Sequence, residues 1–191
     1  MTTQSTHDFT AIVTEILHEN AASLAQIDAE QSEVFLSLLK NAARIFVTGE
    51  GRSGLVMRMF AMRLTHLGKS TFMVGDATTP AIQRGDLLVV CSGSGETTIP
   101  CLRAERAVSI GATVVAIGGR AYSRLIQSAA LTIFLPQSAL PDQTQTNRTV
   151  QFGGSRFEQC ALLFCDVIAY LAMMAWEIDP ATMQGRHANL E

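Results

Sequence analysis

Basic clusters are the first thing this sequence does without. Lys and Arg number 14 against 17 Asp and Glu, for a formal charge of −3, and no basic run or interleaved aromatic patch occurs anywhere. A chain that neutralises nucleic-acid phosphates needs a concentrated positive face, so no nucleic-acid partner is expected. Long apolar runs are also missing. Crossing a bilayer takes about 18 consecutive apolar residues, and every uninterrupted run here is far shorter. The polar start from Met1 to Asp8 has no signal-peptide character, so the expectation is a cytoplasmic protein without a membrane partner. The cysteines form no framework. Cys91 ends an apolar run, Cys101 falls in a helical pattern, and Cys160 and Cys165 lie in a later one. No metal spacing matches, and free thiols in a reducing compartment are expected. The loop at Ser92 to Thr97 lacks the Gly-Lys-Ser/Thr ending of a nucleotide-binding P-loop, so a nucleoside triphosphate with Mg²⁺ is a poor fit there.

What is present organises itself around Leu87 to Thr97. Five apolar residues, Leu87 to Cys91, break abruptly into Ser92-Gly93-Ser94-Gly95-Glu96-Thr97. The apolar run reads as a fully buried strand of a parallel sheet, and a helical pattern (Ile99, Leu102, Ala107, Val108, Ile110) begins directly after the loop, near Thr97. The first N–H groups of a helix lack intrahelical partners and the macrodipole is positive there, so an anion at that end is stabilised twice. The glycines let the backbone close on a ligand, and Ser92, Ser94 and Thr97 add hydroxyl donors. A single phosphate monoester suits such a cradle; an ordinary capped strand-to-helix turn is the plainer alternative. Glu96 must point outward, with a capping-box return as one destination.

The length of 191 residues and 48% hydrophobic content suit one domain. From Phe9 to Leu39 apolar residues recur at helical spacing (Ile12, Ile16; Leu24, Ile27; Val34, Leu38), with Asp28 as a cap between two helices. These helices precede the first strand and either cover the sheet or meet another subunit. Strand and helix then alternate. Arg44 to Thr48 is a strand, Gly49-Glu50-Gly51-Arg52-Ser53-Gly54 a glycine loop, and a helix runs to about Leu67. The loop is formally a G-x-G-x-x-G, and Asp76 after the next strand, Thr71 to Val74, stands where a ribose-binding acid would. The second hydroxyl-rich loop at Ser92 to Thr97 has no place in a dinucleotide fingerprint, whereas two loops converging on one small phosphate explain both. Ser53 then supplies a hydroxyl, and Arg52 either a charge for the ligand or a solvated side chain.

Thr79 reads as a helix N-cap with Pro80 as the first helical residue. Ala112 to Ile117 and Ala130 to Leu135 are further strands, separated by a short helix from about Tyr122 to Gln127. Five strands with intervening helices give an α/β three-layer αβα sandwich on a five-stranded parallel sheet, flavodoxin-like, with the N-terminal helices added. Gln137 to Ser155 is polar and reads as a long loop able to close over a site. A strong helix follows from about Phe157 to Trp176, with Glu158 in its first turn, and Asp179-Pro180 caps one more.

These motifs together resemble the sugar isomerase (SIS) domain family and, within it, the 6-phospho-3-hexuloisomerases. The resemblance rests on Gly51-Arg52-Ser53-Gly54-Leu55-Val56, Ala61 to Gly68, Thr78-Thr79-Pro80-Ala81-Ile82, Ser92 to Thr97, Phe157-Glu158 and Arg186-His187-Ala188-Asn189-Leu190-Glu191. The chain departs from the family's pattern at Thr65 and across Asn147 to Arg156.

The resemblance implies a single SIS domain over 1–191, with helices in 1–42 and the α/β core in 43–191. It implies an enzyme interconverting D-arabino-hex-3-ulose 6-phosphate and D-fructose 6-phosphate through a cis-enediol, without metal or organic cofactor. Such an enzyme is usually a homotetramer, serves formaldehyde fixation or detoxification, and pairs functionally with a hexulose-phosphate synthase.

Glu158 is then the base, Gly51, Arg52, Ser53, Ser92, Gly93, Ser94, Gly95 and Thr97 hold the substrate, and His66 or His187 relays oxygen protons. A 3-ketose 6-phosphate can close only four-membered rings through its C1 and C5 hydroxyls, so it is chiefly open-chain. Fructose 6-phosphate closes readily, and a histidine that opens its ring would serve the reverse direction. Two rivals stay open, another SIS-type isomerase acting for example on arabinose 5-phosphate, and a non-catalytic sugar-phosphate sensor. A sensor of that kind normally carries a DNA-reading helix before the SIS domain, and no basic recognition helix precedes the first strand here.

Overall fold

A computed structural model describes residues 8–136 and 149–190. Two helices lead, α1 (Phe9–Leu24) and α2 (Ala29–Asn41), followed by β1 (Arg44–Gly49), α3 (Gly51–His66), β2 (Ser70–Met73), β3 (Leu87–Ser92), α4 (Thr98–Ile110), β4 (Thr113–Gly118), β5 (Leu131–Phe134), α5 (Ser155–Ala175) and α6 (Pro180–Gly185). The Asp28 carboxylate accepts from Glu30 N at 2.9 Å and that of Asp179 from Ala181 N at 3.2 Å, so both aspartates cap as expected.

All strand pairs are parallel, in the order β2-β1-β3-β4-β5. Strand order reverses at β1 and β3, since the chain goes from β1 to β2 on one side and then to β3 on the other, and in such a sheet ligands bind at the carboxyl ends of the strands at that switch point. Every residue of β3 is buried because helices cover both faces. On one face Ile45, Val47, Leu87, Val89, Val115 and Ile117 pack with Phe35 and Leu39 of α2, with Met57, Phe60 and Leu64 of α3, and with Phe164 and Ile168 of α5. Burying each such side chain contributes about 1.5–3 kcal/mol before entropy is counted. On the other face Phe46, Leu88, Val90, Val114 and Ala116 meet Cys101, Ala104 and Ala107 of α4, together with Leu125.

By length and composition α5 would pass for a membrane span. In the fold Phe157, Cys160, Ala161, Phe164, Cys165, Ile168, Ala169 and Ala172 are buried, as in the central helix of a globular core. This helix is interrupted by charge at Glu158 and Asp166, so no uninterrupted apolar run marks it.

The structure corrects several expectations. No helix starts at Thr79 and Pro80. The Thr79 hydroxyl donates to the Met73 carbonyl at 2.5 Å, and the Asp86 carboxylate takes the Gln83 N–H at 2.6 Å and the Arg44 guanidinium at 2.5 and 2.9 Å. These bonds close the connection into turns, leaving too few residues for a helix. The expected helix from Tyr122 to Gln127 shrinks to a 3₁₀ turn, Ile126–Ser128. Its would-be donors are used elsewhere, Arg124 N by the Glu96 carboxylate and Leu125 N by the Gly95 carbonyl, both at 3.0 Å.

Helix phases also differ. In α2 the buried pair is Phe35 and Leu39, one residue on from Val34 and Leu38. In α4 the small residues Cys101, Ala104 and Ala107 face the sheet while Ile99, Leu102 and Val108 are about half exposed. Of the loop expected over Gln137 to Ser155, residues 137–148 lie outside the described residues, and 149–154 run without regular structure into α5.

Candidate active site

Ser92 ends β3, and its hydroxyl accepts the Gly95 N–H at 3.1 Å. The Thr97 hydroxyl lies 3.4 Å from the hydroxyls of both Ser92 and Ser94, and Ser94 Oγ accepts from Glu96 N at 3.2 Å. Thr97 is the N-cap of α4, yet its side chain makes no capping bond to the helix. Three hydroxyls therefore converge beside the amide groups of Thr98 and Ile99 at the positive end of α4.

The loop's shape depends on Gly95, which has φ +65°, and any Cβ there would stand 2.1 Å from Ser123 Oγ. Segment 123–125 clamps the loop from behind through Leu125 N and through Arg124 N, which donates to Glu96. Glu96 does point outward, but it joins the next loop rather than closing a capping box.

The β1 loop supplies the other wall. Gly54 presses so closely on β1 that a Cβ would come 2.7 Å from the Gly49 carbonyl, which seats the start of α3 directly over the end of β1. Gly51, Arg52 and Ser53 form the first turn of α3. The Ser53 hydroxyl stands beside the Cys91 thiol on β3, and register pairs Gly49 at the end of β1 with Cys91, so the two loops lie side by side. Burial pushes that thiol up to about 12, so Cys91 stays protonated and is no nucleophile.

Glu158 enters from the first turn of α5, and its carboxylate accepts from the Arg52 guanidinium. The pair is unequal, with the Glu158 side chain 17% exposed and that of Arg52 62%. Together with Leu55, Val56, Met59, Gln159 and Leu162 it lines a cleft of about 180 Å³ between α3 and α5. The carboxylate–guanidinium pair thus stands at the loop after β1 and the hydroxyl cluster in the neighbouring loop after β3, the two loops flanking the switch point. This set can hold a phosphate monoester and move a proton on the attached carbon chain.

The dinucleotide alternative loses its acid. Asp76 accepts two hydrogen bonds from Arg58, at 2.8 and 3.1 Å, and these hold its carboxyl below the usual range.

The histidines are placed elsewhere. His66 ends α3, a helix of 16 residues, so at about 1.5 Å per residue it stands roughly 20 Å from Arg52. Its ring lies against that of His187, centroids 5.1 Å apart, and the Arg186 guanidinium donates to the His66 carbonyl at 3.0 Å. Burial, then the neighbouring His187 and Arg63, push His66 below its ordinary value. Within one chain, then, the structure brings together Gly51, Arg52, Ser53, Ser92, Gly93, Ser94, Gly95, Thr97 and Glu158, and keeps His66 and His187 apart from them. Sequence reasoning missed Ser123 and the place of Cys91 beside Ser53, because both depend on contacts distant along the chain.

Comparison with known proteins agrees with this geometry. The SIS domain family model matches residues 38–147. A protein of Bacillus subtilis named 3-hexulose-6-phosphate isomerase is 38% identical over 182 residues, covering 95% of this chain and 98% of its own. One of Mycobacterium gastri with the same name is 37% identical, covering 96% and 92%. Among solved structures, a Methanococcus jannaschii protein, whose structure is described as inferring a 3-hexulose-6-phosphate isomerase function, superposes with a TM-score of 0.79 at 31% identity. That likeness covers 94% of this chain and 97% of that one. With the β2-β1-β3-β4-β5 sheet and the hydroxyl-rich loop after β3, the matched stretch places the chain in the SIS domain family.

Proposed function

We propose that this chain is a 3-hexulose-6-phosphate isomerase, interconverting D-arabino-hex-3-ulose 6-phosphate and D-fructose 6-phosphate. The observation that carries this reading is the meeting of Glu158 and Arg52 with the β1 loop, next to the hydroxyl cradle on β3 and α4. The names of the Bacillus subtilis and Mycobacterium gastri relatives support the choice of substrate.

In this reading Ser92, Ser94, Thr97 and the α4 amides hold the phosphate, Gly93 and Gly95 let the loop close, and Gly51 and Ser53 flank the sugar. The carbonyl shifts from C3 to C2, so the proton on C2 must leave and one must arrive at C3. Glu158 takes the C2 proton, a cis-enediol forms across C2 and C3, and Glu158 returns the proton to C3. Arg52 stabilises the charge that develops on the two oxygens. His66 and His187, held a helix length away, can relay the oxygen protons only at the cradle of another subunit.

Assembly as a homotetramer belongs to the same proposal. Leu55, Met59 and Met62 on α3 and Val167, Tyr170 and Met174 on α5 are 45–60% exposed, and exposed apolar side chains on two packed helices are a surface that a partner subunit covers. A single SIS domain over 1–191, a cytoplasmic location matching four unpaired cysteines, and formaldehyde fixation or detoxification beside a hexulose-phosphate synthase complete it.

A coupled assay feeding hexulose 6-phosphate and detecting fructose 6-phosphate tests the activity. Turnover with that substrate and none with arabinose 5-phosphate is expected; the reverse pattern would move the chain to another SIS isomerase, and binding without turnover would make it a sensor. Light scattering on the eluting protein tests the tetramer.

A further inference from the structure

The inner face of α1 is built the wrong way round for a helix that only covers a core. Its apolar residues Phe9, Val13 and Leu17 are exposed, at 81%, 36% and 62%, whereas Glu19, Asn20 and Ser23 are buried. These polar residues continue the half-buried Ile12 and Ile16 at helical spacing, so they occupy the face turned toward α5. Buried carboxylates survive only when their oxygens are satisfied.

The partners of Glu19 and Asn20 all fall in one stretch. Glu19 accepts from Thr149 Oγ1 at 2.6 Å, Val150 N at 3.1 Å and Gln151 Nε2 at 2.8 Å, with the Arg156 guanidinium 4.0 Å away. Asn20 accepts from Gln151 Nε2 at 3.1 Å and donates to Gln159 Oε1 at 2.7 Å. These contacts bracket Glu158 on both sides, from the approach at 149–151 to the helical turn at 156–159. The approach has little apolar anchoring, because Val150 is 50% and Phe152 93% exposed. Between anchor and base the chain turns at Gly153, φ +55°, and Gly154 packs against Glu158 Oε1, 3.2 Å from where a Cβ would stand. Burial alone would raise the Glu19 carboxyl, but the hydrogen bonds from Thr149, Gln151 and Val150 and the charge of Arg156 outweigh it and hold the group below its ordinary value. The charged form is the one the fold stabilises.

We propose that Glu19 is a positioning residue for catalysis: its buried carboxylate holds segment 149–151 and the first turn of α5 so that Glu158 stands against Arg52 at the cradle. The inference rests on the reading of Glu158 as the base. Because Glu19 touches neither the cradle nor the sheet, its removal should misplace the base while leaving phosphate binding intact, and misplacement on the scale of an ångström costs about 100-fold in rate.

The experiment compares Glu19→Ala, Glu19→Gln and Thr149→Val with the unaltered chain, measuring kcat, KM for hexulose 6-phosphate, and backbone amide exchange across 149–158 and β3. For Glu19→Ala, kcat should fall about 100-fold with KM nearly unchanged, and exchange should quicken at 149–158 but not in β3. Glu19→Gln, which keeps the shape and one acceptor, should recover part of the loss. Thr149→Val, which weakens the anchor from the other side and leaves α1 intact, should give a smaller loss of the same kind; it decides the question if Glu19→Ala does not fold.

Unchanged kcat and exchange in Glu19→Ala, or in Thr149→Val when that variant decides, overturn the proposal. So does a loss shared by kcat and KM with exchange rising throughout the chain. Glu158→Gln is measured in parallel. If it keeps full turnover the reading of Glu158 fails by its own result, while the exchange comparison still decides whether Glu19 holds 149–158.

Discussion

The two ends of α3 each carry a pair of titratable side chains, in opposite surroundings. At the start, Arg52 and Glu158 form a cation–anion pair on the rim of an open cleft, beside free helix amides and hydroxyls. At the end, His66 is buried at 5% exposure, and the charges that bear on it are those of His187 and Arg63. The helix N-terminus is the positive pole and favours an anion, while the C-terminus presents carbonyls that repel one. In the proposed reading the phosphate monoester therefore sits on the side of the first end, where the start of α4 also lies. Residue type marks both ends as chemical, and it is position on the helix that separates them.

The sharpest way to break this comparison is to disable the first end. Glu158→Gln keeps size and hydrogen bonding but cannot take the C2 proton, so kcat should drop by roughly 10²–10⁴ while fructose 6-phosphate still binds. Stopped assays combined with calorimetric titration would check it, and near-normal turnover would assign the base elsewhere.

Next in size is the cradle. Ser94→Ala and Ser92→Ala should each weaken substrate binding by about 1–3 kcal/mol, the worth of a hydrogen bond to a charged group, and Ser92→Ala should also loosen the Gly95 turn. Titration of folded variants with substrate reads this directly; unchanged KM and kcat would remove the loop from the site.

A smaller loss is expected from His66→Asn and His187→Asn, assayed in both directions, with an added defect in consuming cyclic fructose 6-phosphate. Since neither ring reaches the cradle of its own chain, mixing His66→Asn with Glu158→Gln subunits should restore part of the activity. Failure to complement, with each variant folded and assembled, would make the histidine pair structural.

The smallest effect is on stability. The folded His66 lies below its ordinary value of 6.5, so below 6.5 the unfolded chain binds the proton first. Stability is complete above that pH and declines as pH falls toward the lower folded value. Denaturant unfolding of the unaltered chain and of His66→Asn between about pH 8 and pH 5 should show this decline weakened in the variant. Parallel curves would place the titration on another group.

Much of the first end was legible in sequence. Leu87 to Thr97, the Gly49 to Gly54 loop, the caps at Asp28 and Asp179, and Glu158 at a helix start all declare themselves within a few neighbouring residues. Apolar runs, glycines and hydroxyls act locally, and a β-loop-α unit builds its own anion site. The placement of the second end was not legible for the same reason: a histidine announces chemistry by type, but its distance from the cradle of its own chain is set by the length of α3.

By itself, then, the sequence determined the order of the five strands, the parallel sheet and the composition of the cradle, because these follow from periodicity and from backbone groups left free at helix starts. Tertiary structure alone decided which phase of α2 and α4 faces the sheet, since Phe35 rather than Val34 fits against α3 and α5, and small residues let α4 lie close. It also decided that Arg124 and Leu125 serve the cradle loop instead of a helix, that Ser123 locks Gly95, and that Glu19 holds the approach to Glu158 from more than a hundred residues away. Those outcomes depend on which buried polar groups find partners across the fold, and no local pattern encodes a partner distant in the chain.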